Sequence, residues 1–127
     1  MGKVVIIEDD PTFAAALERV ISSEHQVKTY GAVPEDDAEL FDSPPDIIFL
    51  DCLLPRESGP HYLERLRAEP RTSSVPVILM SGYEEMFNEA ERLSGQYQEF
   101  LRKPCTMRQI MAVVHRYVPP AQQRGWH

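Results

Sequence analysis

The chain alternates short, wholly apolar runs with longer segments in which apolar residues recur at helical spacing. The runs Val4–Ile7 and Ile47–Leu50 contain only aliphatic and aromatic residues, as strands buried on both faces require. Between them, Phe13, Leu17 and Ile21 recur every four residues, which is typical of an amphipathic helix. This alternation predicts an α/β fold, a doubly wound parallel sheet of five strands flanked by helices on both faces.

The remaining segments complete a series of five strands and five helices. The other strands are expected at Gln26–Tyr30, Val77–Met80 and Phe100–Leu101. The expected helices are Pro11–Ser22 with Asp10 as its N-cap, a short helix that opens at Pro34 with Ala38 and Phe41 as its buried side, Pro60–Glu69, Glu84–Leu93 and Thr106–Val118. We assign 1–118 to one domain and 119–127 to a disordered C-terminal tail.

The composition of the chain limits which partners it can bind and which cellular compartment suits it. The net charge of −7 argues against direct binding to nucleic acid or to an anionic membrane, since both require clustered basic residues. The cysteines, Cys52 and Cys105, do not form a disulfide framework, and no apolar run is long enough to span a bilayer. We therefore expect a soluble, cytoplasmic protein with one hydrophobic core.

Carboxylates follow two of the predicted strands directly. Glu8, Asp9 and Asp10 come after the first strand, and Asp51 comes directly after the third. If these strands lie side by side, the carboxylates share one pocket, where they repel each other unless a hard divalent cation binds them. Asp10 is better explained as the helix cap, because it directly precedes Pro11.

Polar side chains also follow the fourth and fifth predicted strands. Ser81 directly follows the fourth predicted strand, and Lys103 lies two residues beyond the fifth. Ligands of doubly wound sheets bind beyond the carboxyl ends of the strands, so these groups should face the acidic pocket.

These motifs resemble the receiver domains of two-component response regulators over about Lys3–Tyr117. The residues that carry the resemblance are Glu8-Asp9, Asp51 and Pro55 in LDCLLP, Gly59, Ser81 in VILMSG, and Phe100, Lys103 and Pro104 in FLRKP. Each motif is weak alone, but their order and spacing together are specific. The resemblance implies a flavodoxin-like fold and a Mg²⁺-dependent phosphorylation site.

The resemblance also implies roles for the acidic residues. Asp51 corresponds to the phosphoacceptor, and a carboxylate is a suitable nucleophile for forming an acyl phosphate. Asp9 and Asp51 would bind Mg²⁺ directly, with Glu8 acting through water. The backbone carbonyl of Leu53 corresponds to a further ligand, which rests on resemblance alone.

Three further positions take their roles from the resemblance. Lys103 would stabilise charge on the phosphoryl oxygens, and its peptide bond to Pro104 would be cis. Ser81 would donate its hydroxyl to the attached phosphoryl group. Phe100 corresponds to the switch aromatic, which turns inward when Ser81 moves; the competing reading is an ordinary packed aromatic.

The implied function is a signalling switch rather than an enzyme, although it would assist its own phosphorylation and dephosphorylation. The phosphoryl group would come from a histidine kinase or a histidine phosphotransfer protein. A downstream protein would bind the face formed by helix four, strand five and helix five. The alternatives are a receiver fragment of a larger DNA-binding regulator or hybrid kinase, and a phosphorylation-independent pseudo-receiver.

Two other classes fit the sequence less well. A haloacid-dehalogenase-type phosphatase requires a second aspartate where this chain has Leu53, and the triplet Glu8-Asp9-Asp10 would repel the phosphate of a flavin nucleotide.

The chain also departs from the receiver pattern. Gln96 and Tyr97 replace the usual small residues before strand five, and Cys105 replaces a large apolar residue.

Overall fold

The computed structural model describes residues 2–119, in which five strands and five helices alternate. The strands are β1 (Lys3–Ile7), β2 (Gln26–Tyr30), β3 (Ile47–Asp51), β4 (Val77–Ser81) and β5 (Glu99–Arg102). The helices are α1 (Pro11–Ile21), α2 (Ala38–Asp42), α3 (Gly59–Ala68), α4 (Glu84–Glu91) and α5 (Met107–Tyr117).

All five strands lie parallel in one sheet, in the order β2-β1-β3-β4-β5. The chain winds in one direction from β1 to β2 and in the other from β3 onward, so the order reverses between β1 and β3. Such a reversal opens a crevice at the C-terminal edge of the sheet, where ligands bind. The predicted doubly wound parallel fold is confirmed.

The central strands divide their side chains between two apolar layers, because successive residues point to opposite faces of a sheet. Val5 and Ile7 pack with residues of α2, α3 and α4, whereas Val4 and Ile6 pack with residues of α1 and α5. Every residue of β3 and β4 is buried. The ends of these strands are therefore held firmly by packing on both faces.

Side-chain caps fix the starts of α1 and α5, among other helices, at the C-terminal edge of the sheet. Asp10 Oδ1 accepts hydrogen bonds from the backbone N–H groups of Thr12 (3.0 Å) and Phe13 (3.4 Å), which confirms the predicted N-cap. At the start of α5, Thr106 Oγ1 accepts from the N–H of Gln109 (3.1 Å), whose side-chain oxygen accepts from the N–H of Thr106 (2.7 Å). This capping box satisfies two otherwise unpaired donors.

The prediction for the second helix is wrong at its start and for Ala38 on its buried side. The helix begins at Ala38 rather than at Pro34, and the Asp36 carboxylate accepts a hydrogen bond from the N–H of Ala38 (3.1 Å). Local bonds of this kind favour a turn over an early helical start. Leu40 is the buried residue of α2, Phe41 is half-buried, and Ala38 is exposed.

β2 has its predicted bounds, and the other element boundaries lie within two residues of the predictions. β5 extends one residue beyond Phe100–Leu101 at each end, and α4 ends before Leu93, which is nevertheless buried. Within residues 2–119, no helix has both the length and the apolar character needed to cross a membrane. Apart from Pro119, the predicted tail at 119–127 lies outside the described residues.

Candidate functional site

One cleft at the C-terminal edge of the sheet collects side chains from four strand ends. Glu8 follows β1, Asp51 ends β3, Ser81 ends β4 and Lys103 follows β5. All four line the same cleft, as the sequence predicts. The other lining residues are Asp9, Asp10, Leu53, Gly82 and Tyr83.

Three carboxylates in this cleft are close enough to share a cation. One oxygen from each of Glu8, Asp9 and Asp51 lies within 4.8 Å of the other two. Glu8 and Asp51 are buried, with 2% and 5% of their surface exposed, whereas Asp9 is open to solvent. Such a set of hard oxygen donors suits Mg²⁺, and the exposed side leaves room for water ligands.

Glu8 is held at both carboxylate oxygens. Its Oε1 accepts a hydrogen bond from Lys103 Nζ at 2.5 Å, and its Oε2 accepts from the N–H of Asp10 at 3.0 Å. The three acidic residues therefore have different roles. Asp10 caps α1 with its side chain and holds Glu8 through its backbone N–H, whereas the carboxylates of Glu8 and Asp9 line the cleft.

Asp51 lies beside both a positive charge and a negative charge. Lys103 Nζ is 3.4 Å from Asp51 Oδ2, and the N–H of Leu53 donates to Oδ1 at 3.3 Å. Burial raises the pKa of Asp51 to about 7, with help from the hydrogen bond and charge of Glu8 and against the opposing charge of Lys103. A second cation in the cleft would therefore favour the ionised, nucleophilic form.

Lys103 reaches the cleft from a firmly placed backbone. Its N–H donates to the carbonyl of Ser81 at 2.9 Å, and the Lys103–Pro104 peptide bond is cis, as the resemblance implies. Burial lowers the pKa of the ammonium, but the hydrogen bond to Glu8 and the charges of Asp51 and Glu8 outweigh that effect, so the pKa lies above its ordinary value. The lysine is therefore charged at neutral pH.

The two predicted switch residues occupy neighbouring strands. Ser81 is buried, and its hydroxyl oxygen accepts a hydrogen bond from the N–H of Tyr83 at 3.1 Å. Phe100 is half-buried and packs against the apolar layer that Val5 and Ile7 form with α2, α3 and α4. Its ring contacts the ring of Phe87 edge to face, with the ring centroids 5.3 Å apart. These contacts suit either a switch or an ordinary packed ring, so the switching role stays a prediction.

The departures from the receiver pattern are accommodated by local packing. Tyr97 is half-buried against the layer under α3 and α4, and the carbonyl of Gln96 accepts a hydrogen bond from Arg67 Nε at 2.7 Å. Cys52 is buried and Cys105 half-buried, and burial raises the pKa of the Cys52 thiol to about 12. Cys52 therefore behaves as a small apolar residue.

Sequence reasoning missed two contacts that shape the cleft. A Cβ atom at Gly59 would lie 2.2 Å from the carbonyl oxygen of Asp51, so only glycine fits there. The ring of Phe13 lies 4.8 Å from Lys103 Nζ. A glycine at a helix start was a usable signal for the first contact, whereas helical spacing marked Phe13 only as a core residue.

The all-parallel sheet with the order β2-β1-β3-β4-β5 defines the flavodoxin-like class of α/β proteins. Within that class, residues 4–115 match the family profile of the response regulator receiver domain. The chain belongs to the response regulator receiver domain family.

Several curated relatives are similar to this chain. Protein PilG of Pseudomonas aeruginosa is 28% identical over 120 residues, which cover 92% of this chain and 87% of PilG. The phosphate regulon transcriptional regulatory protein PhoB of Rhizobium meliloti is 27% identical over 90% of this chain, which covers 51% of PhoB. Hybrid signal transduction histidine kinase D of Dictyostelium discoideum is 24% identical over 87% of this chain, which covers 7% of that kinase. The chain thus spans about half or less of some relatives.

Solved structures agree with the fold. The receiver domain of a signal transduction histidine kinase from Syntrophus aciditrophicus superposes with a TM-score of 0.80 and 26% identity, covering 92% of this chain and 89% of that one. The receiver domain of sensor histidine kinase PA1611 from Pseudomonas aeruginosa, solved with a magnesium ion coordinated in its active site cleft, gives a TM-score of 0.80 at 20% identity, covering 91% of this chain and 96% of that one.

Proposed function

We propose that this chain is a phosphoacceptor, which takes a phosphoryl group from a histidine kinase or a histidine phosphotransfer protein onto Asp51 and thereby switches a protein-binding surface. The observation that carries the proposal is the convergence of Asp51 with two further carboxylates, Glu8 and Asp9, and with the ammonium of Lys103. Membership of the receiver family supports it.

Asp51 is suited to attack phosphorus directly. One of its carboxylate oxygens would form the new O–P bond while the P–N bond of the donor phosphohistidine breaks. The imidazole leaves with the electron pair of that bond and takes a proton from solvent, and the product is an aspartyl phosphate. Lys103, whose Nζ is 3.4 Å from Asp51 Oδ2, is placed to pair with the phosphoryl oxygens as their charge develops.

Mg²⁺ is the cofactor that the donor set favours. Asp9 and Asp51 would bind it directly, Glu8 through water and Leu53 through its backbone carbonyl, which matches the preference of Mg²⁺ for carboxylate, carbonyl and water oxygens. When bound, the ion would neutralise charge on the transferring phosphoryl group.

The attached phosphoryl group would then change the hydrogen bonding of Ser81. Its hydroxyl, which accepts from the N–H of Tyr83, would turn to donate to a phosphoryl oxygen. Phe100 on the neighbouring strand would follow by turning inward, and the face formed by α4, β5 and α5 would change its affinity for a downstream protein.

Phosphorylation by a small donor tests the proposal. Wild-type protein incubated with Mg²⁺ and acetyl phosphate should gain one phosphoryl group, detected by the intact mass, and Asp51→Asn should gain none. Asp42→Asn is the matched control, because Asp42 is an exposed aspartate on α2 outside the cleft. Equal labelling of Asp51→Asn and wild type would refute the assignment of Asp51. Mg²⁺ binding without labelling of any variant would favour a pseudo-receiver.

Two kinds of relative bear on whether the receiver acts alone or serves other domains of a larger signalling protein. PhoB is covered over 51% of its length and hybrid kinase D over 7%, which favours a receiver that serves other domains. PilG is covered over 87% of its length, which favours a receiver that acts alone. The phosphotransfer chemistry proposed for Asp51 is the same in either arrangement.

A further inference from the structure

Among the described residues, three groups contact the ammonium of Lys103, and one of them is not a carboxylate. Nζ lies 2.5 Å from Glu8 Oε1, 3.4 Å from Asp51 Oδ2 and 4.8 Å from the centroid of the Phe13 ring. An ammonium within about 6 Å of a ring centroid is attracted by the negative face of the ring. We propose that Phe13 is a positioning residue that holds the Lys103 ammonium at the cleft for phosphoryl transfer, an inference that rests on the proposed function.

The ring differs from the two carboxylates in what it can do while the cleft is in use. Glu8 and Asp51 are both placed to hold a metal ion, and Asp51 is also the proposed nucleophile. During the reaction these two carboxylates therefore interact with the metal ion and the phosphoryl group as well as with Lys103. Phe13 has no lone pair for a metal and no group that titrates. Its attraction for the ammonium of Lys103 therefore persists, and it adds no oxygen that would compete with the phosphoryl group.

The Phe13 ring is itself held in place. The N–H of Phe13 donates to Asp10 Oδ1 at 3.4 Å in the cap that opens α1, and the ring packs half-buried against the apolar layer under α1 and α5. Lys103 is fixed at its backbone through the carbonyl of Ser81, but its long side chain is flexible. A fixed ring beside a flexible side chain restricts the positions that the ammonium can take.

Ring fluorination tests the electrostatic part of this contact. Fluorine withdraws negative charge from the ring face with little change of shape, so Phe13 is replaced site-specifically by phenylalanines carrying one, two and three ring fluorines. With Mg²⁺ and acetyl phosphate, we expect the labelling rate of Asp51 to fall with each fluorine. Phe13→Leu should lower the rate roughly two- to thirty-fold, the range that a cation–π contact of ordinary strength implies. Phe13→Tyr keeps the ring and should restore most of the rate.

A measurement without phosphoryl transfer tests the contact itself. Lys103 Nζ lies 4.8 Å from the centroid of the Phe13 ring. We therefore expect the protons on the adjacent Cε atom to shift upfield in the NMR spectrum of metal-free wild type and to return toward ordinary lysine values in Phe13→Leu. Phe41 is the matched control: it is half-buried on α2, and its ring lies 5.6 Å from the guanidinium of Arg71. Its fluorination should leave the labelling rate unchanged.

The outcomes separate this inference from the function on which it rests. A labelling rate that stays flat across the Phe13 fluorine series overturns the positioning role and leaves the phosphoacceptor function intact. If the NMR shifts of the Lys103 Cε protons are the same in Phe13→Leu and in wild type, the positioning role is likewise overturned and the phosphoacceptor function is left intact. A wild-type protein that gains no phosphoryl group overturns the proposed function, and the positioning role with it.

Discussion

Gly59 lies against the end of β3, where the backbone of Asp51 leaves no room for a side chain. An added Cβ would come within 2.2 Å of the Asp51 carbonyl oxygen and 2.9 Å of Cys52 Cα, and both are backbone atoms that cannot simply rotate away. The N–H of Gly59 also donates to the carbonyl of Cys52 at 2.9 Å. The start of α3 therefore helps to set the position of Asp51.

We predict that Gly59→Ala lowers the free energy of unfolding by about 1–3 kcal/mol, since relieving the overlap must displace β3 or α3. Denaturant unfolding measures the change. Gly31→Ala is the control, because within the described residues no atom outside its chain neighbours lies within 4 Å of a Cβ built there. Its effect should stay within about 1 kcal/mol. Equal losses in the two variants would contradict the steric argument.

The side chain of Arg102 joins β5 to the start of α4. One guanidinium nitrogen donates to both carboxylate oxygens of Glu84, at 2.9 and 2.7 Å, and the guanidinium lies 4.0 Å from the centroid of the Phe87 ring. Arg102 also pairs in register with Ser81, and Phe87 contacts the ring of Phe100. The side chains that link α4 to β5 are thus adjacent to both predicted switch residues.

We predict that Arg102→Ala loosens α4 without unfolding the domain, because it removes an exposed ion pair and a cation–π contact worth about 1 kcal/mol or less each. Amide hydrogen exchange should become faster in α4 and stay unchanged in α1. The matched variant is Arg92→Ala, whose guanidinium pairs with Glu89 near the end of the same helix and does not connect it to β5. Protection of α4 that is the same in Arg102→Ala and wild type would rule out this link.

The buried carboxylate of Asp51 makes the stability of the entire domain depend on pH. Burial, with Glu8 in support, raises the pKa of Asp51 to about 7 in the folded protein, against roughly 3.9 for an unperturbed aspartate. Between these values the folded state binds a proton that the unfolded state has lost, so stability decreases as pH rises.

In EDTA, we expect the free energy of unfolding of wild type to fall relative to that of Asp51→Asn between about pH 4 and pH 7. The difference between the two proteins isolates Asp51, because other groups such as Glu57 titrate in both. Unfolding curves across this range provide the measurement. A difference that stays constant with pH would show that Asp51 titrates normally in the folded protein.

The sequence predicted those features that depend on local pattern. The apolar runs at β1, β3 and β4 and the cap at Asp10 specify their own structure, and parallel pairing then brings the four strand-end residues to one edge. Contacts between distant side chains were not predictable in this way. The Phe13–Lys103 and Arg102–Phe87 contacts depend on how helices pack against the sheet edge, and helical spacing does not report that.

The ion pair between Glu8 and Lys103 joins residues 95 positions apart. During synthesis, the carboxylates of Glu8, Asp9 and Asp51 therefore leave the ribosome well before the lysine that balances their charge. Until β5 has been synthesised and paired with β4, the nascent domain can bring its three carboxylates together but lacks the Lys103 ammonium that is proposed to assist phosphoryl transfer. The order of the chain thus delays the proposed phosphoacceptor function until all five strands of the sheet have been translated.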